Sequence, residues 1–230
     1  MRTALLTLLA AVPAFATPSS VIWINSVDSQ AFGTVHVGVD NFVAARQSAS
    51  PISADLGLTF GLLPDPLRLE IGADWWANAA SPVWLNAKLS LVEDGAIPGI
   101  AVGAYGVGID DASAYHVVYA VAAKTFGPVG RITLGGSYGV GDPLLFGGPA
   151  LHKRASLLLA WERTLSEISE DLWIAADVQT GTGPFSAVSA GFAYKLGPAA
   201  SILVGYNHML SDLPSTVYVA LDADLTLFGK

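Results

Sequence analysis

The charged residues of the segment LRLEIGADWW, residues 67–76, stand at alternating positions. Arg68, Glu70 and Asp74 are separated by apolar or small side chains. Successive side chains of a β-strand point to opposite faces, so these three charges would share one face of a strand. Such a row can form an electrostatic profile for a permeating solute. Alternatively, its members pair with neighbouring charges in a polar interior.

The four histidines of the chain stand in no recognisable catalytic signature. The nearest sequence pairs are His152 with Ser156, and His208 with Ser211 and Asp212. The sequence contains no G-x-S-x-G nucleophile elbow, no H-E-x-x-H zinc motif and no calcium loop. It therefore predicts that the protein is not an enzyme and has no catalytic residue, bound metal or cofactor.

The composition is that of a membrane protein without membrane-spanning helices. The 230 residues are 52% hydrophobic and 13% charged, and the mean hydropathy is +0.51. No stretch after the N-terminal region has the 18 or more consecutive apolar residues of a spanning helix. In hydrocarbon every backbone polar group needs an internal partner, which leaves a closed β-barrel as the other possible membrane architecture. A soluble secreted β-sandwich is the alternative.

The first 16 residues have the pattern of a secretory signal peptide. Arg2 precedes an apolar stretch, and Ala14-Phe15-Ala16 forms a small-x-small cleavage site; the alternative is a buried first helix or strand. Cleavage would remove one of 11 basic residues and leave 10 against 19 acidic ones, a net charge of −9. This charge argues against nucleic acid as a partner. The chain has no cysteine and hence no disulfide.

Segments of about ten residues with alternating hydrophobicity predict an all-β, antiparallel, up-and-down transmembrane β-barrel of about twelve strands within residues 34–230. Residues 17–33 form a lead-in segment that could lie inside the barrel, extend the first strand or adhere to the inner membrane face. If strand one runs outward, the periplasmic turns are short. The predicted strands are 34–43, 52–62, 67–76, 83–92, 99–109, 115–126, 131–140, 154–164, 172–180, 187–196, 201–209 and 216–228.

The polar face of each predicted strand must point into the lumen, because a Lys or Arg facing lipid at the midplane costs about 2–4 kcal/mol. Basic residues gather near the predicted periplasmic turns and acidic ones toward the outer mouth. The predicted lumen-lining residues are Asp40, Asp55, Arg68, Glu70, Asp74, Asn86, Lys88, Lys124, Arg131, Arg154, Glu162, Asp177, Gln179, Lys195, Asp222 and Asp224.

Aromatic residues on the opposite faces predict girdles at the two membrane interfaces. Trp75, Tyr115, Tyr138 and Tyr206 fit the outer girdle. The longest predicted outer loop, 141–153, could fold inward or dip into the membrane rim.

The mature chain resembles Gram-negative outer-membrane β-barrels of porin-like type. The resemblance rests on ISADLGLTFGLL, LRLEIGADWW, AVSAGFAYKL and TVYVALDADLTLF together with the signal peptide. Such barrels commonly end in a terminal aromatic residue, whereas here Gly229 and Lys230 follow Phe228. The resemblance implies a location in the outer membrane, with membrane lipid and small polar solutes or ions as partners; the oligomeric state is left open.

Twelve strands fall between small barrels filled by side chains and wide porins. The sequence therefore favours a narrow channel for passive passage of ions or small polar solutes. The alternative is a structural or adhesive barrel with a closed, side-chain-filled lumen.

Overall fold

The twelve predicted strands are all present and close into an antiparallel barrel, which confirms the predicted fold class. The computed structural model describes residues 19–46, 52–77, 79, 81–110 and 114–228, so the predicted signal peptide lies outside the described residues. Each strand pairs with its neighbours in sequence, and β1 closes the barrel against β12. The strands are β1 (Thr34–Ala44), β2 (Ile52–Gly61), β3 (Leu67–Trp76), β4 (Val83–Leu91), β5 (Gly99–Gly108), β6 (Val117–Thr125), β7 (Arg131–Gly139), β8 (Ala155–Thr164), β9 (Leu172–Gln179), β10 (Ala187–Gly197), β11 (Ala200–Met209) and β12 (Thr216–Thr226).

The two ends of the barrel differ in their connections. At the end where β1 begins, here the turn end, the strands are joined by 62–66, 92–98, 126–130, 165–171 and 198–199. At the opposite end, the loop end, the connection 140–154 is the longest and contains a 3₁₀ turn, Pro143–Phe146, and the short helix α1, Leu151–Arg154. Within the described ranges, no helix has both the length and the apolar character needed to span a bilayer.

The outside of the barrel is apolar and the inside is polar. In β3, Leu67 and Trp75 are 44% and 50% exposed, whereas Glu70 between them is 3% exposed. This arrangement is the reverse of a soluble β-sandwich, whose polar residues face outward. The apolar exterior and the polar interior follow from the two-residue period of the strands. A shift of the register by one residue would move every side chain of a strand to the opposite face.

Residues 19–30 lie inside the lumen, one of the three positions that the sequence left open, whereas Ala31 and Phe32 are exposed at the turn end. Val21, Ile22 and Ile24 are almost completely buried. Ile22 packs where β10 and β11 pair Gly191 with Gly205. A Cβ atom at either glycine would come within 3.1 and 3.3 Å, respectively, of the Ile22 side chain. Because neither glycine has a side chain, Ile22 can pack directly against the backbone of β10 and β11.

The assignment of Tyr115 to an outer girdle is wrong. β6 begins only at Val117, and His116 before it has a positive φ of 47°. This conformation breaks the strand alternation on which the prediction depended. The Tyr115 ring instead contacts Phe146 and Phe185, with centroid distances of 5.5 and 4.9 Å. Phe146 is buried, so part of the 141–153 loop does fold inward.

Candidate functional site

A cavity of about 500 Å³ occupies part of the lumen. One wall includes inward residues from β1 to β6 and β12, and the other includes Ser20, Ile22 and Trp23 of the lead-in segment. The cavity lining runs from Phe185 and Pro214 at the loop end to residues near the turn end. Its size lies within the range of small-molecule binding sites.

A continuous arc of aromatic rings lines the loop half of this cavity. Phe42 stacks on Tyr218 and on Trp76, with centroid distances of 4.8 and 5.6 Å. Trp76 contacts Trp84 at 5.2 Å, and Trp84 contacts Tyr115 at 5.5 Å. The rings of Phe42, Trp76, Trp84 and Tyr218 face the lumen because they stand on the polar face of their strands. We call the set Phe42, Trp76, Trp84, Tyr115, Phe185 and Tyr218 the aromatic arc.

Three carboxylates, Asp40, Asp55 and Asp74, line the same cavity and form the acidic row. Asp40 and Asp55 are direct partners across β1 and β2. Asp74 of β3 accepts a hydrogen bond of 2.9 Å from the amide of Asn86. Among the residues that the structure describes, none of the three forms an ion pair with a basic side chain. The row therefore gives this wall of the cavity an acidic character.

His36 is a lumen residue that sequence reasoning missed. It is buried, and its ring nitrogens lie 3.3 Å from Asp222 Oδ1 and 2.8 Å from Asp224 Oδ1. Its position in β1 has the same parity as Asp40, so the alternation could have identified it. Its side chain places a potential cation at the turn-end limit of the cavity.

The basic residues deeper in the lumen are neutralised by acidic partners. Lys88 Nζ lies 3.0 Å from Glu70 Oε1 and also donates to the carbonyl of Ser19 at 3.1 Å. Glu70 accepts a hydrogen bond of 2.7 Å from the backbone N–H of Gln30. The Lys88–Glu70 pair thus joins the barrel wall to both ends of the lead-in segment.

A second buried network surrounds Arg131. Its guanidinium lies 2.8 Å from Glu162 Oε1 and 2.5 Å from Asp28 Oδ2 of the lead-in segment. The indole N–H of Trp173 donates to the other Glu162 oxygen at 3.1 Å. Each charge in this network has an opposite partner, as buried charges require.

Asp177 of β9 holds the tip of the lead-in segment. Its Oδ2 accepts hydrogen bonds from the backbone N–H groups of Ile22, Trp23 and Ile24 at 2.8, 2.7 and 3.2 Å. Three successive N–H groups that converge on one oxygen form a small anion-binding concavity. The segment is therefore anchored by a charged group and not by apolar packing alone.

Ion pairs also occur at the turn-end rim. The Arg68 guanidinium donates to Asp65 and lowers the pKa of that carboxyl group below its ordinary value. Partial burial would raise the pKa of Glu93, but hydrogen bonds from Lys124 and Thr125 outweigh it and lower the pKa. Arg68 also donates to the Ser29 carbonyl at 3.1 Å, which fixes the end of the lead-in segment.

The predicted lumen-lining residues thus occupy four kinds of position. Asp40, Asp74 and Asn86 are half-buried in the cavity, whereas Arg68, Lys124, Lys195 and Asp224 lie near the turn end. Arg154 ends helix α1 at the loop end, where it donates to the carbonyl of Gly139 and lies 5.0 Å from the ring centroid of Tyr138. The fully buried members are Asp55, Glu70, Lys88, Arg131, Glu162, Asp177, Gln179 and Asp222.

Comparison with known proteins finds similarity only at the level of structure. No protein-family model and no curated protein matches the chain. Among solved structures, a KdgM porin shares 10% identity over 83% of this chain and 98% of its own, with a TM-score of 0.57. A KdgM porin in complex with disordered oligogalacturonate shares 11% identity over the same fractions, also with a TM-score of 0.57. A NanC porin shares 9% identity over 84% of this chain and 100% of its own, with a TM-score of 0.50. The chain has the barrel fold of these porins, which confirms the porin-like resemblance as one of architecture.

Proposed function

We propose that the protein is an outer-membrane channel through which ions and small polar solutes pass by diffusion. The observation that carries this proposal is the cavity of about 500 Å³ inside a closed barrel. Carboxyl, amide and histidine side chains line this cavity together with the aromatic arc, and the outer faces of the strands are apolar. The barrel fold shared with the KdgM and NanC porins supports the same function.

The proposed location follows from the apolar exterior. Strands of 8 to 11 residues are close to the length that crosses the hydrocarbon core when tilted. Exposed side chains such as Leu58, Ile71 and Leu134 would be unfavourable in water but stable against lipid tails. Together with the predicted signal peptide, this exterior favours insertion into the outer membrane.

The passage is narrow because the lead-in segment occupies the lumen beside β9, β10 and β11. Solutes would therefore pass along the cavity wall formed by β1 to β6 and β12. That wall bears the acidic row, whereas the deeper basic residues Lys88 and Arg131 are paired. We expect cations to be favoured over anions of similar size.

The solute of the KdgM complex is not carried over to this chain. Oligogalacturonate is a polyanion, and Asp40, Asp55 and Asp74 would repel it. The likeness of fold thus supports the channel architecture, while the charges of this chain favour a solute of opposite sign.

The second candidate is a structural barrel with a closed lumen. It is favoured by the anchoring of the lead-in segment through Asp177, Glu70 and Arg131. In this case the surface loops, and not solute passage, would provide the function.

Planar-bilayer recording of the purified full chain separates the two candidates. A channel gives stable unitary currents and, in a KCl gradient, a reversal potential of the sign expected for cation preference. Asp55→Asn should reduce that preference, whereas Asp171→Asn, an exposed carboxylate in a turn-end connection, should leave it unchanged. A folded barrel without unitary currents would overturn the channel proposal and support the closed barrel.

A further inference from the structure

We propose that the cavity is a binding site for organic cations, namely an ammonium group attached to an apolar or aromatic body. The inference rests on the proposed function, because a solute would reach the site through the lumen. It depends on how the aromatic arc and the acidic row are placed relative to each other.

Two members of the acidic row are offset from the aromatic arc by one inward position along their strands, whereas Asp55 is the direct cross-strand partner of Trp76. Asp40 lies two residues from Phe42 in β1, and Asp74 lies two residues from Trp76 in β3, in both cases on the turn-end side. Two residues of a strand span about 6.8 Å. A ligand that contacts both groups therefore needs a cationic centre within about this distance of its apolar part.

Some buried polar atoms of the cavity wall have no hydrogen-bond partner among the described residues, and a ligand could supply one. Asp55 is 8% exposed, lines the cavity and has an Oδ1 atom without a hydrogen-bond partner within the described part of the chain. Leaving such an acceptor unsatisfied in a buried position is unfavourable. An ammonium N–H group is the complementary donor, because it also compensates the negative charge.

The aromatic arc selects for the body of the ligand. The faces of Trp, Tyr and Phe attract cations and pack against apolar groups. A simple inorganic cation would use only the carboxylates, and an aromatic anion would be repelled by them. Both features together specify an amine with an apolar body.

Calorimetric titration of the full chain in detergent tests this inference with three probes. Phenethylammonium carries both features, 3-phenylpropionate carries the ring with the opposite charge, and methylammonium carries the charge without the ring. We expect phenethylammonium to bind at least about tenfold more tightly than either of the others. Equal binding of all three probes, or binding of none, would overturn the inference.

Two substitutions assign the binding to the site. Asp55→Asn removes one negative charge with little change of shape and should weaken phenethylammonium binding about tenfold or more. Trp76→Leu removes a ring of the arc and should weaken the binding of phenethylammonium more than that of methylammonium. Asp171→Asn is the matched charge control and should bind like the wild type. Unchanged binding in both cavity variants would contradict the assignment.

The calorimetric test of this inference is independent of the bilayer test of the proposed function, because binding can be measured whether or not the barrel conducts. Currents without selective binding would retain the channel and reject the organic-cation site. Selective binding without currents would retain the site and reject the channel.

Discussion

Replacement of Asp177 by alanine should loosen the tip of the lead-in segment, residues 22–24, from the wall of the lumen. The carboxylate is 1% exposed and accepts three backbone hydrogen bonds through a single oxygen. In Asp177→Ala the N–H groups of Ile22, Trp23 and Ile24 lose this acceptor. The seated position of the segment then becomes less stable relative to released positions, in which water satisfies the same groups.

The magnitude follows from the number and type of the bonds. A hydrogen bond to a charged group contributes about 1.5–3 kcal/mol net. The three donors share one oxygen, and water replaces part of the lost interaction. We therefore count the three hydrogen bonds as two, at about 1.5 kcal/mol each, so the free energy that favours the seated segment falls by about 3 kcal/mol. Each 1.4 kcal/mol is about a factor of ten, so the ratio of released to seated segment should rise by more than about 100-fold.

Thiol labelling measures this ratio directly. The chain has no cysteine, so Ile24→Cys introduces a single thiol at a position that is 1% exposed. We expect a water-soluble maleimide to label this thiol about 100-fold faster when Asp177→Ala is also present. The lumen is wider while the tip is released, so transitions to a higher unitary conductance should become more frequent in the same variant.

Asp74→Ala provides the labelling control. Asp74 is also an inward carboxylate, but it bonds to Asn86 of the barrel wall and not to the segment. Its removal should leave the labelling rate near that of the Ile24→Cys parent. If Asp177→Ala folds and yet labels and conducts like its parent, the carboxylate does not hold the segment and the anchoring argument is refuted.

Three further predictions concern the stability of the barrel in lipid vesicles, measured by denaturant unfolding. Ile71→Lys places a charge on the apolar exterior and should cost about 2–4 kcal/mol, whereas Ile168→Lys in a turn-end connection should cost little; equal effects would contradict the assignment of the exterior to lipid. Glu70→Gln leaves the buried Lys88 ammonium without its counter-ion and should cost about 3–5 kcal/mol, and Lys88→Met added to it should recover most of that loss; failure to recover would show that the pair does not act as a unit. The folded-state pKa of Glu93 is lowered from its ordinary value of 4.5, so its ionisation stabilises the fold above that pH and the contribution is lost as the pH falls through the lowered pKa. The stability difference between wild type and Glu93→Gln should therefore disappear in acid, and a difference that does not change with pH would exclude this contribution.

The strands and their orientation could be predicted from the sequence because they depend on a local period. LRLEIGADWW alternates polar and apolar residues, and only one register puts Leu67, Ile71 and Trp75 on the exterior of the barrel. The same period places Arg68, Glu70 and Asp74 on the opposite face. The boundaries of β3 agree with the prediction at both ends.

The candidate site could be predicted only in part. Alternation assigns Asp40, Asp55 and Asp74 to the polar face, and it could equally have assigned His36. It does not show which strands lie opposite each other across the lumen. Tyr115 was misplaced because a positive φ at His116 interrupts the period, and no pattern in the sequence indicates that interruption.

The tertiary structure alone decided what fills the lumen. The apolar stretch VIWI at 21–24 suggested that the lead-in segment is not a free tail, but its position depends on Asp177, which lies more than 150 residues away in sequence. The same holds for Lys88, whose partners are Glu70 and the Ser19 carbonyl. A strand's period is set by its own backbone, whereas the pairing of charges across a lumen exists only after the barrel has closed. The sequence therefore determined which residues face inward, and the closed barrel decided which of their charges are neutralised and which remain available to a solute.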